Sequence, residues 1–234
     1  GSMDVTGGAS ATYTSLSDTV VGNPLGMTTA LTFTGNGELD NGSTFKVTIA
    51  HKNKSAYSTS AIALTTPSLG TFTYDEGGGT GIDRIDDMMP TAWEETDGTG
   101  LTTGAKTASG VGGVTDIEWN VGMGLPDGMN VYASFAPRPD GSKNAKKKVG
   151  GASATASNNS GNAWDIALTH SGLLDGLNVF AGLSSVDQNA SLGDRDSEVY
   201  GATYAIGGAT VGYQHTTQDN VVTSGSYYDT DAYG

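Results

Sequence analysis

The chain has 234 residues, 36 of them glycine and none cysteine, with a formal net charge of −14, 15% charged and 36% hydrophobic residues. Such acidity excludes nucleic-acid binding, which needs Lys and Arg clustered on one face, and no run approaches the roughly 20 apolar residues of a membrane-spanning helix, so a barrel is the one membrane-crossing architecture left. Hydrophobic content lies below the roughly 45–50% of ordinary globular domains, yet Val, Ile, Thr, Tyr and Phe fall in alternating runs, an order that strands need and disordered chains lack.

No signal peptide is visible, so either the sequence begins at its mature end or Gly1-Ser2-Met3 is partly a cloning remnant. Absence of cysteine fits a secreted or surface protein that does without disulfides. From Asp4 to Tyr13 the alternation places Val5, Gly7, Ala9, Ala11 and Tyr13 on one face, a strand with unusually small outward side chains that could pack against a second subunit. After a loop through Gly22-Asn23-Pro24, a second strand runs from Met27 to Gly37. Leu39-Asp40-Asn41-Gly42 forms a tight turn, since Asn-Gly readily takes the positive φ of hairpin turns. The returning strand puts Phe45, Val47 and Ile49 on one side and Lys46, Thr48, Ala50 and Lys52 on the other. Lysines facing a dry core would be very costly, whereas a water-filled lumen accommodates them. A further hairpin joins Ala61–Thr65 to Thr71–Tyr74 through Pro67-Ser68-Leu69-Gly70.

Residues 75–110 break the pattern. Asp75, Glu76, Asp83, Asp86, Asp87, Glu94, Glu95 and Asp97 stand against Arg84 and Lys106, with Ile85, Met88, Met89, Pro90 and Trp93 among them. A connection this long with no evident regular structure is a functional loop or disorder; its apolar group argues for a loop that packs on something, the alternative being an acidic surface excursion held by one apolar patch. Gly77-Gly78-Gly79-Thr80-Gly81 lacks the Lys and the strand-to-helix setting of a phosphate-binding loop and reads as a flexible entry.

Beyond it, Ile117, Trp119, Val121 and Met123 alternate with Asp116, Glu118 and Asn120. The turn Leu125-Pro126-Asp127-Gly128 leads into Met129, Val131, Ala133 and Phe135. The same hairpin is written again with Trp164, Ile166 and Leu168 against Asp165, then Leu174-Asp175-Gly176, then Leu177 to Leu183. A third turns at Gly207-Gly208. Tight turns thus alternate with long polar connections at 15–25, 53–59, 75–110, 137–161, 184–197 and 217–226. The basic run Lys143 to Lys148 sits in one of them and reads as a solvated loop tip. Short turns on one side and long loops on the other, with strands apolar outside and polar inside, describe an outer-membrane barrel. A soluble or surface-exposed β-sandwich, an adhesin or binding protein whose acidic loop captures a ligand, is the alternative; it would place apolar residues inside and give loop lengths no reason to alternate.

In its Val-Thr-Gly-Gly-Ala-Ser-Ala-Thr-Tyr opening at 5–13, its Leu-x-Asp-Gly turns and an acidic loop in third place, the whole chain resembles the general diffusion porins of Gram-negative outer membranes, especially the alphaproteobacterial type. The resemblance implies an all-β antiparallel transmembrane barrel, sixteen-stranded in the full-length family, of which about eleven to twelve strands are present here. Residues 1–234 then form a single porin domain, apparently its N-terminal two-thirds since the chain stops at Gly234 in what reads as mid-strand, with 75–110 folded inward as the constriction. It also implies outer-membrane localisation among lipid and lipopolysaccharide, a homotrimer, and small hydrophilic solutes crossing by passive diffusion. Carried over residue by residue, Asp83, Arg84, Asp86, Asp87, Glu94 and Glu95 belong to the constriction, with the carboxylates as eyelet acids. Lys46, Lys52, Asp116, Glu118 and Asp165 belong to the lumen wall, the lysines being the facing cations. Family members carry several wall arginines; no inward arginine cluster is evident here.

No catalytic residues are nominated, because nothing in the sequence brings His51, His170 or His215 together with a nucleophile. Asp83, Asp86 and Asp87 could hold Ca2+ through carboxylate oxygens, but their spacing departs from the twelve-residue calcium loop and a solvated acidic rim is the preferred reading, with no cofactor or metal. Trp119, Trp164, Tyr200, Tyr204 and Tyr213 suit either an interfacial aromatic girdle or ordinary strand packing, and their placement near strand ends favours the girdle.

Overall fold

A computed structural model describes residues 1–13, 25–52, 59–76, 79–89, 95–96, 101–102, 108, 110–112, 115–137, 162–188, 193–220 and 224–234. Its strands are β1 (Ser2–Tyr13), β2 (Leu25–Glu38), β3 (Thr44–Lys52), β4 (Thr59–Thr66), β5 (Gly70–Glu76), β6 (Glu95–Thr96), β7 (Leu101–Thr102), β8 (Thr115–Val121), β9 (Met129–Pro137), β10 (Asn162–His170), β11 (Leu177–Val186), β12 (Arg195–Ile206), β13 (Ala209–Asp219) and β14 (Tyr227–Tyr233). Twelve of them form one antiparallel sheet in chain order, with β6 and β7 pairing separately inside the long loop. β1 and β14 are the two edges, so the sheet is not closed among the described residues. A sandwich needs two facing sheets, and the single continuous sheet rules it out.

Register carries one face around the whole wall, because directly opposed residues of an antiparallel pair point to the same side. Phe33 opposes Ile49, Val47 opposes Ile62, Leu64 opposes Phe72, and Phe72 opposes Trp119. Continuing the row, Trp119 opposes Ala133, which opposes Ile166, which opposes Leu183. On the other face Asn36 opposes Lys46, Lys46 opposes Ala63, and Asp75 opposes Asp116, while Ser134 opposes Asp165 and Asp165 opposes Ser184. A single polar face therefore runs through β2, β3, β5, β8, β9, β10 and β11. The apolar face is the exposed one: Ile117, Phe135, Trp164, Ile166, Leu183 and Tyr200 are each 45–50% exposed.

The long loop crosses the polar face. Where the residue order predicts no regular structure, residues Gly81–Met88 form a 3₁₀ helix. Three residues per turn place Ile82, Ile85 and Met88 in one line. Ile82 and Ile85 are fully buried, and with Met89 and Ala108 they join Ala167, Phe180, Val199 and Ala232 of the wall in one apolar cluster, Met88 packing at its margin. A second small cluster holds Val111 against Ala136, Ala163 and Val186. Each buried isoleucine contributes on the order of 2 kcal/mol to holding the loop down.

Wall residues under the helix are small for a reason. A Cβ at Gly182 would stand 2.6 Å from Ile82 Cγ2 and 3.1 Å from Ile85 Cδ1. Gly182→Val is therefore expected to lift the helix and cost about 1–3 kcal/mol in overpacking. Trypsin cleavage after Arg84 should accelerate in the variant and stay slow in the parent; equal rates would show that the helix is not seated on this glycine.

Candidate pore constriction

Three carboxylates on the polar face receive the loop. The Thr80 hydroxyl donates to Asp116, the Gly81 N–H donates to Glu118 Oε2 at 2.8 Å, and the Ile82 N–H donates to Asp165 Oδ2 at 2.9 Å. The Gly81 and Ile82 N–H groups are the first donors of the helix, which has no side-chain cap of its own and would otherwise bury them unsatisfied. From the far end of the loop, the Val111 N–H donates to the same Asp165 Oδ2 at 3.0 Å. Asp165 thus clasps both ends. Close approach explains two glycines: a Cβ would stand 2.0 Å from Asp165 Oδ2 at Gly81 and 2.1 Å at Gly110, where φ is +61° and +52°, a region that side chains rarely adopt.

Glu118 carries the second clasp. It accepts from the guanidinium of Arg84 and from Ser134 Oγ at 3.0 Å. Arg84 Nε donates to the Gly81 carbonyl at 3.1 Å, and its guanidinium carbon lies 3.5 Å from the centre of the Tyr132 ring, a cation–π contact. The arginine is thereby held between wall and loop by a carboxylate, a carbonyl and an aromatic face.

These contacts correct the sequence reading in two places. Asp116, Glu118 and Asp165 do face inward, but they are 1%, 5% and 1% exposed; the loop covers them, so they form its dock and do not line open lumen. Arg84, grouped with the constriction acids, is turned into the wall against Glu118. Asp83 is half-buried, its side chain filling the space where Gly112 has no Cβ. Asp86 and Asp87 belong to the helix, but their side chains lie outside the described residues, as do Glu94 and the side chain of Glu95. Lys46 and Lys52 are exposed on the polar face, opposite Asn36 and Ala30. The structure does not bring these lysines into the loop dock.

Arg195, which sequence reasoning did not single out, stands on the polar face opposite the buried Val186. Its signal was the alternation of Arg195, Ser197 and Val199 against Asp196, Glu198 and Tyr200, obscured by its position at the strand start. Among the described residues no group of three or more His, Asp or Glu is arranged to hold a metal ion.

No protein-family model and no curated protein matches the sequence. Solved structures do. OmpF of Salmonella typhi, in complex with daunomycin, is similar with a TM-score of 0.60 and 13% identity, over 92% of this chain and 65% of that one. A variant of Rhodopseudomonas blastica porin is similar with a TM-score of 0.54 and 17% identity, over 100% of this chain and 81% of that one. A porin refined at 1.8 Å is similar with a TM-score of 0.57 and 15% identity, over 99% of this chain and 77% of that one. The chain thus spans about two thirds of the OmpF length. It has the fold of the bacterial general diffusion porins, a long antiparallel wall with an inward-folded loop.

Proposed function

We propose that this protein is an outer-membrane porin, a water-filled channel through which small hydrophilic solutes and ions diffuse passively. One observation carries the reading: the wall is polar on the face that receives the loop and apolar on the face turned outward, the reverse of a soluble domain. Placement of the outward aromatics supports it. Phe135, Trp164 and Tyr200 each stand seven positions from the tight turn of their hairpin, counted from Gly128, Ser171 and Gly207, or roughly 18 Å up a strand tilted by about 40°. Beyond Tyr200 the outward side chains of β12 are Glu198 and Asp196, as expected where hydrocarbon ends. Near the tight turns Trp119 stacks on Phe72 at 5.9 Å and donates its indole N–H to the Leu69 carbonyl at 2.7 Å, one end apolar and the other satisfied. Small outward residues on β1, Val5 and Gly7, support close packing of a second copy and hence a homotrimer.

In this reading the loop narrows the lumen, its carboxylates Asp83, Asp86, Asp87, Glu94 and Glu95 meet solutes, and Lys46 and Lys52 face them from the wall. No enzymatic step is part of it. Planar-bilayer recording of the full chain, with and without deletion of residues 81–98, tests the proposal. Stepwise conductance in groups of three that grows on deletion is the expected result; a protein that stays in solution without detergent and never conducts would overturn it. The excess of acids predicts mild cation preference. Reversal potentials in a salt gradient should shift further toward cations when Lys46 and Lys52 are both replaced by Glu, and an unchanged shift would remove the lysines from the permeation path.

A further inference from the structure

A cavity of about 240 Å³ opens beside the end of the loop helix, lined by Met88 and Phe180, by Thr169, His170 and Ser171, and by Asn178, Val179 and Thr203. It lies on the tight-turn side of the dock: Thr169 is near the end of β10, Ser171 follows that strand, and Asn178 is the second residue of β11 after the turn. Its floor is apolar, from Met88 of the loop and the buried ring of Phe180. That ring lies down because its cross-strand partner is Gly201, where a Cβ would stand 2.5 Å from the ring. Around the floor stand three hydroxyls and one amide, of Thr169, Ser171, Thr203 and Asn178. Among the described lining residues none is a carboxylate, lysine or arginine, and the one titratable side chain, His170, has its Nε2 3.2 Å from the Asp127 carbonyl oxygen.

We propose that this cavity binds small uncharged solutes with one aromatic ring and one or two hydroxyl groups. The size selects one ring with a short arm, since a cavity of about 150 Å³ already takes benzene. An apolar floor and a rim of hydroxyls and an amide select an amphipathic, neutral molecule, because a charge there would leave water for a site whose described lining holds no carboxylate, lysine or arginine. Since Met88 is at once the floor of the cavity and the end of the loop helix, an occupant touches the constriction. Binding therefore interrupts current, and does so from the tight-turn side of the membrane.

This deepens the porin reading, and the test separates the two. The probe is tyrosol, with benzoate as the charged control. Equilibrium dialysis against the full chain in lipid nanodiscs reads binding without requiring conduction, and bilayer recording with tyrosol added to one side at a time reads block. Saturable binding of tyrosol, at least about tenfold weaker binding of benzoate, and brief current interruptions only from the tight-turn side are expected. Thr203→Val and Asn178→Leu, the second at an exposed position, should each weaken binding about tenfold, a factor that corresponds to 1.4 kcal/mol. Absence of saturable binding, equal affinity for benzoate, block from both sides alike, or unchanged binding in both variants would overturn the proposal. Binding without any conductance would leave the cavity standing and remove the porin reading.

Discussion

Asp165→Ala is expected to free the long loop at both ends. One carboxylate oxygen accepts the N–H of Ile82 at 2.9 Å and of Val111 at 3.0 Å. Removing it strands two donors in a region from which water is excluded, and each orphaned donor costs about 1–3 kcal/mol. Retained Gly81 and Gly110 leave the cavity unfilled, so the loss is not recovered by collapse. The expected total is about 2–5 kcal/mol against the docked loop. Single-channel recording should show larger and noisier conductance, and trypsin should cut after Arg84 where the parent resists. Asp165→Asn keeps an oxygen acceptor and should retain most of the docking. If the alanine variant shows parental conductance and protease resistance, the loop is held by its isoleucines alone and the carboxylate clasp is incidental.

A double-mutant cycle on Arg84 and Glu118 should give strong coupling. Arg84→Ala leaves Glu118, 7% exposed along its side chain, with the Gly81 N–H and the Ser134 hydroxyl as its donors among the described residues. Glu118→Leu leaves a guanidinium against the Tyr132 face with one backbone carbonyl. Breaking one side of a buried pair costs about 3–5 kcal/mol, and partial exposure of Arg84 places the cost here near the lower end. Arg84→Leu combined with Glu118→Leu removes both charges and should recover a good part of the loss, giving a coupling of about 1–3 kcal/mol. Urea unfolding in detergent of the four proteins provides the measurement. A coupling below about 0.5 kcal/mol would mean that water screens the pair and that the loop does not depend on it.

Strand faces were legible from residue order alone because a period of two leaves no ambiguity once one face must meet lipid or a partner. Phe45, Val47 and Ile49 against Lys46 and Thr48, and the repeated Leu-x-Asp-Gly hairpin, mark the wall without reference to anything distant. The helix at Gly81–Met88 was legible in principle as well. Its signal was Ile82, Ile85 and Met88 at intervals of three with charges between, masked by the density of acids around it. What residue order could not tell was the destination of the inward acids. Asp116, Glu118 and Asp165 look identical, as residues on a polar strand face, whether they meet water or the N–H groups of a loop arriving from 30 or more positions away in sequence.

The same holds for Arg84, whose charge reads as part of an acidic rim until Glu118 and Tyr132 are seen to enclose it. By itself, then, the amino-acid order determined an antiparallel wall, apolar on one face and polar on the other, with one long acidic loop, since these follow from local periodicity and turn chemistry. Only the tertiary structure decided that the wall's carboxylates hold that loop in place, because a buried acid takes its role from the donors that reach it, and those donors come from a distant part of the chain.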